Sequence, residues 1–116
     1  MGYYKIKLRK TDKLFSQYIR RIGKCEICGR SDIKLEAAHY FSRGKEATRF
    51  DVRNVKCLCF TCHKRSHEEK DYYKNWLIDK YGQAWLDKLE LDSNCYKKRD
   101  DALDEIVIKA MIKAEE

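Results

Sequence analysis

The apolar positions change period several times along the chain, and each change marks an element. Tyr4, Ile6 and Leu8 alternate with Lys5, Lys7 and Arg9, the pattern of a strand or of an extended basic arm. From Thr11 the spacing becomes helical. Leu14, Phe15, Tyr18, Ile19 and Ile22 share a face, Thr11 or Asp12 stands at a capping position and Gly23 suits a helix end, which predicts a helix over 11–23. Cys25-Glu26-Ile27-Cys28-Gly29 reads as a tight turn. Ile33 to His39 and Phe50 to Cys57 are short runs compatible with the two strands of a hairpin around a basic loop containing Gly44. Beyond His63 the pattern is helical almost to the end. Tyr73, Trp76, Leu77 and Tyr81 share a face, Gly82 breaks the run, and Trp85, Leu86 and Leu89 begin another short helix. Over 99–114, Leu103, Ile106, Val107, Ala110, Met111 and Ala114 form a stripe that Ile108 and Ile112 widen. So apolar a helix either packs on the preceding helices or contributes to a dimer seam.

With 116 residues the chain has room for one domain, 1–116. Hydrophobic residues make up 43% and charged residues 39%, enough to bury a modest core. No apolar run approaches the roughly eighteen residues of a membrane span, and Met1 to Lys10 alternates where a secretory signal is continuously apolar. The expected setting is therefore the cytoplasm, with no membrane partner. The formal charge of +7 is unevenly divided, with net +11 over residues 1–67 and net −4 over residues 68–116. A basic excess of that density suits a surface that neutralises nucleic-acid phosphates, the alternative being a solvated face without a partner.

Six cysteines in a chain expected in a reducing compartment suggest metal more than disulfides. Cys25-x-x-Cys28 and Cys59-x-x-Cys62 have the spacing by which one turn presents two thiolates to a tetrahedral Zn²⁺, and two such turns close the site. Thirty residues separate the pairs, which an inserted hairpin explains. Cys57 competes with Cys59 but lacks the tight spacing to Cys62, and Cys57 and Cys95 read as a core residue and a lone thiol. A redox role is the alternative for either pair.

The three histidines form a second constellation. His39 is followed after fourteen residues by Asn54, after eight more by His63 and after three more by His67. His63 and His67, four apart on a helix, share a face and can grip one divalent cation. His39 ends the first strand opposite that helix, where a neutral imidazole can take a proton from water. Asn54 begins the return strand and can hydrogen-bond across the loop to hold the imidazole in place.

His39, Asn54 and His63, bracketed by the cysteine pairs within the run Asn54-Val-Lys-Cys-Leu-Cys59-Phe-Thr-Cys62-His63, resemble the HNH endonucleases. A wider likeness is similar to phage recombination endonucleases of the Rap/NinG type. It runs from Leu14-Phe15-Ser16-Gln17-Tyr18-Ile19-Arg20 through Ala38-His39-Tyr40, Thr48-Arg49-Phe50 and Asn54-Val55 to Tyr81-Gly82 and Leu89. The resemblance implies an α+β fold. Its small ββα-metal core over 25–67 is stapled by the four-cysteine zinc site, with the helix 11–23 before it and a helical extension over 68–116 after it.

It further implies a metal-dependent DNA endonuclease, a phosphodiester hydrolase of phage recombination or DNA processing. His39 is then the general base, Asn54 the positioning residue, and His63 with His67 the ligands of a catalytic ion (Mg²⁺, Mn²⁺, Ni²⁺ or Zn²⁺) distinct from the structural zinc. Arg43, Lys45, Arg49 and Arg53 flank the site and are expected to grip phosphates of the DNA, branched or single-strand-containing DNA being one candidate. Ala38 departs from the family, many members of which have a metal-ligating Asp or His there. The ion is then held by fewer protein groups with more water and the substrate phosphate, or by a carboxylate such as Glu36 or Asp51. Two other readings remain, a zinc-stabilised DNA-binding module with a degenerate nuclease site, and an interaction module whose acidic half recruits a partner.

Overall fold

The computed structural model describes residues 8–115. The alternating arm therefore lies outside the described residues except for Leu8 to Lys10. Helix α1 (Lys10–Arg20) buries Phe15 and Ile19 on the predicted face, and the Arg9 N–H donates to the Asp12 carboxylate at 2.7 Å to close its first turn. It ends before the expected boundary at 23, and Gly23, with φ +80°, turns the chain away.

The hairpin pairs β1 (Leu35–His39) with β2 (Val55–Cys59) in antiparallel register, from Leu35 opposite Cys59 to His39 opposite Val55. Both strands are shorter or later than the sequence pattern suggested. Residues 49–54 are a turn instead of strand, because the Asp51 carboxylate accepts the Arg53 N–H and the Asp51 carbonyl accepts the Asn54 N–H, both at 2.9 Å. A short 3-10 turn (Glu46–Thr48) precedes it.

Helix α2 (Phe60–Glu68) starts directly after the last residue of β2, and α3 (Lys70–Tyr81) follows after a break at Glu69. Gly82, with φ +98°, separates α3 from α4 (Gln83–Ser93). Every residue of β2 is buried because both faces of the hairpin are covered. On one side Ala38 and Leu58 pack with Tyr73, Leu77, Leu86 and Leu89; on the other Val55 and Cys57 pack with Phe15, Ile19 and Ile108. Two thin cores share one small sheet.

The last helix, α5 (Asp101–Ala114), is capped by Asp100, whose carboxylate accepts the Leu103 N–H. It packs on α1 rather than on α3 and α4, with Lys10 and Glu105 paired at 2.6 Å and Arg21 and Glu115 at 3.6 Å. Its buried residue is Ile108, with Met111 and Ile112 beside it, while Leu103 (56% exposed) and Ile106 (65%) of the expected stripe face outward. On a helix apolar nearly all round, periodicity does not choose the buried side; the apolar face of α1, with Phe15 and Ile19, does. No helix of the described residues is long and apolar enough to cross a membrane.

Candidate metal centre and histidine cleft

The turn Cys25 to Gly29 closes through the Gly29 N–H on the Cys25 carbonyl at 2.9 Å, with Gly29 at φ +80°, and the Cys25 N–H donates to the Arg30 carbonyl at 2.8 Å. Glu26 straps this turn to β2. Its N–H donates to the Cys57 carbonyl at 2.8 Å while its carboxylate accepts the Cys57 N–H at 2.7 Å. Cys59 occupies the N-cap of α2 and Cys62 its first turn, so the helix dipole favours thiolates at both.

The outcome is that one sulfur from each of Cys25, Cys28, Cys59 and Cys62 lies within 4.8 Å of the other three. The Cys28 and Cys59 sulfurs are 3.8 Å apart, close to the edge of a tetrahedron built on Zn–S bonds of about 2.3 Å. Burial opposes ionisation of Cys25, yet N–H groups of Cys28, Cys59 and Ile27 bring it down to about 7. Burial and the neighbouring sulfurs push Cys62 up. Four sulfurs packed this closely can be held together by one cation, and the donor set fits zinc. Cys57 is fully buried in the other core and Cys95 is exposed, so neither joins the cluster.

At the far end of the hairpin the described residues bring the three histidines to one cleft of about 530 Å³, lined also by Ser42, Arg43, Lys45 and Lys70. His63 and His67 stand one turn apart on α2 with their Nε2 atoms 3.1 Å from each other. The Glu36 carboxylate takes the Nδ1–H of His63 at 2.8 Å, which leaves the Nε2 lone pair of that ring pointing at the partner imidazole. One ion can accept both rings. Among the described residues only the four cysteines form a group of three or more potential ligands, so the histidine pair is a two-ligand set open to water or substrate.

His39 is arranged differently. Its Nε2–H donates to the Arg49 carbonyl at 3.1 Å, and Nδ1 is buried without a partner. Burial and the Arg43 charge lower its pKa to about 4, so the ring is neutral and carries a free lone pair near pH 7. Asn54, fully buried, directs its side-chain hydrogen bonds elsewhere than this ring. Its amide accepts the Phe41 N–H at 2.8 Å and donates to the Phe41 and Thr48 carbonyls at 3.0 and 3.1 Å, clamping the loop that presents the Arg49 carbonyl.

Two of the four cations expected at the phosphates are engaged elsewhere. Arg49 is 2% exposed and held by Asp12 of α1, at 2.9 Å through Nε, because a guanidinium taken from water requires a carboxylate beside it. Arg53 is clamped between Asp51 and Asp92, whose hydrogen bonds raise its pKa. Arg43 and Lys45 do line the cleft, with the Arg43 Nε also 3.5 Å from the Asp12 carboxylate. Asp51, tied to Arg53, and Glu36, tied to His63, are both occupied, and Ala38 is fully buried against Leu58 and Tyr73, where no ligand could face the cleft. Lys70 was not singled out from the sequence; it opens α3 just beyond the break at Glu69 and lines the same cleft as His67.

A family model described as the bacteriophage lambda NinG protein matches residues 4–116. No curated protein and no solved structure gives a significant match.

Proposed function

The chain belongs to the bacteriophage lambda NinG family, and from that premise we propose that it is a metal-dependent DNA endonuclease of HNH type, serving phage recombination or DNA processing. The observation that carries this reading is the pair of unlike imidazole arrangements in one cleft. His39 offers an unpartnered Nδ1 lone pair, and His63 and His67 offer two converging Nε2 atoms.

In this reading His39 Nδ1 takes the proton of a water that attacks phosphorus in line, leaving a 5′ phosphate and a 3′ hydroxyl. The Arg49 carbonyl fixes the tautomer and Asn54 fixes that carbonyl's loop. A divalent ion on His63 and His67 would polarise the phosphate and stabilise the departing oxygen. Arg43, Lys45 and Lys70 hold neighbouring phosphates, and a zinc ion held by Cys25, Cys28, Cys59 and Cys62 would keep α2 and the hairpin in register without taking part in chemistry.

The second reading, a zinc-stabilised DNA-binding module, is favoured by one observation, the burial of Ala38 where a third ligand stands in many HNH enzymes. Plasmid nicking across a divalent-ion titration separates the two. Wild type is expected to nick, and His39→Ala to lose about a hundred- to ten-thousand-fold at every ion concentration while retaining zinc. His63→Ala should recover in part at high ion concentration. No nicking by wild type with Mg²⁺, Mn²⁺, Ni²⁺ or Zn²⁺ would leave the binding module, and full activity in His39→Ala would remove the base.

A further inference from the structure

Helix α5 has two apolar sides and buries one of them. Ile108, with Met111 and Ile112, packs into the core that Phe15 and Ile19 of α1 share, whereas Leu103, Ile106, Val107, Ala110 and Ala114 are exposed along the opposite side. Steps of three and four residues place these five in one stripe, the pattern of a helix that meets another helix. Single exposed apolar residues are ordinary; a continuous stripe of them over three turns marks an interaction surface.

The charges along the helix say what can cover it. Asp100 and Asp101 stand exposed at its beginning, and Lys109 and Lys113 stand exposed near its end. Side-chain size runs the same way, from Leu103 to Ala110 two turns on. Both gradients reverse about a point between Ile106 and Val107, so the stripe is complementary to itself turned end for end. A two-fold axis through that point brings Leu103 of one copy level with Ala110 of the other, Ile106 with Val107, and Lys113 with Asp100. A parallel pair would bring like charges level and align the two helix dipoles. A polyanion would meet the two carboxylates at one end of the stripe.

We propose that this side of α5 joins two copies of the chain about a two-fold axis, with their α5 helices antiparallel. Each copy uses the same patch, so the assembly closes at two.

The test is the mass of the zinc-loaded protein by sedimentation equilibrium. Wild type should be a dimer at about 100 µM, above the micromolar Kd of a weak interface. Ile106→Glu, at a side chain 65% exposed in the single chain, should keep zinc and cooperative unfolding yet weaken pairing on the order of a hundredfold, because the two-fold repeats the charge across the seam. Direction is read from disulfides formed by mild oxidation after the exposed Cys95 is replaced by serine. Ile106→Cys should link to its counterpart, one residue away along the axis, whereas Leu103→Cys, about 10 Å from its own, should not. A monomeric wild type, a dimer indifferent to Ile106→Glu, or a disulfide through Leu103→Cys overturns the proposal.

Discussion

The two ends of the hairpin are built from opposite principles. At the end where Leu35 faces Cys59, four sulfurs converge, each placed by backbone turns and by the strap from Glu26, and the donor set is complete. At the end where His39 faces Val55, an open cleft is lined by two converging imidazoles and by His39, whose Nδ1 is buried without a partner. A closed four-thiolate site contributes folding energy, whereas an incomplete site leaves positions for water and substrate. Helix α2 joins the two, beginning at the cysteines and carrying His63 and His67 onward. The first end fixes where the second end's side chains stand.

The largest effect should come from breaking the closed end. Cys59→Ser removes one of four thiolates from a set whose metal affinity is itself folding energy, on the order of 10 kcal/mol in small zinc domains. Loss of zinc by elemental analysis and of cooperative unfolding by circular dichroism is expected. Cys57→Ser, on the same strand but in the other core, should retain zinc and remain folded. Zinc retained by Cys59→Ser and lost by Cys57→Ser would reverse the ligand assignment.

Next in size is the attachment of the open end to α1. Asp12 lies in the first turn of that helix, and although burial opposes its ionisation, the Arg49 hydrogen bonds hold its carboxyl below the usual range. Asp12→Ala removes the carboxylate that holds the buried Arg49 guanidinium through Nε and Nη2, and removing one member of such a pair costs about 3–5 kcal/mol. Denaturant unfolding should show that loss with zinc still bound. A change under 1 kcal/mol, roughly the worth of a surface pair, would mean that Arg49 reaches solvent.

How legible these features were in the sequence depended on their range. The cysteine pairs and the His63–His67 pair are set by two- and three-residue gaps within single turns, so spacing alone placed them. The Asp12–Arg49 pair spans 37 positions, and nothing near Arg49 distinguishes it from Arg43 or Lys45. Arg49 therefore read as a phosphate contact. Asn54 was expected to hydrogen-bond the imidazole, but its amide partners are Phe41 and Thr48, in a loop whose path the sequence does not specify. The strand boundary at Val55 was hidden because Phe50 and Val52 continue the apolar pattern through what Asp51 makes a turn.

A smaller effect distinguishes the two ends by pH. The unfolded chain protonates His39 near pH 6.5, whereas the folded chain resists until about pH 4. The neutral ring is thus the folded form's preference. Its contribution is fully present above pH 6.5 and is lost as pH falls towards 4, by about 3 kcal/mol at most. In zinc-loaded protein without other divalent ions, the His39 Cε1–H resonance should stay flat from pH 8 to 5. A midpoint near 6.5 would show the ring to be solvated, and the lone pair at Nδ1 with it.

The smallest effect tests which cations at the open end are free to meet DNA. Arg53 and Lys45 are both basic, and both lie in the stretch between the strands, yet the structure separates them. Arg53 already has two carboxylate partners, Asp51 and Asp92, whereas Lys45 is exposed and its ammonium donates to the neutral Asn94 amide at 2.7 Å. A phosphate would have to displace two anions from Arg53 and only a neutral amide from Lys45. Counterions are released by cations that meet phosphate, each adding about one unit to the slope of log affinity against log salt. Lys45→Ala should therefore lower that slope by about one, and Lys70→Ala by a similar amount, while Arg53→Gln should leave it unchanged. If Arg53→Gln flattened the slope as much as Lys45→Ala, the ion pairs with Asp51 and Asp92 would have to open on DNA, and the cleft would present a wider basic face than its unbound form does.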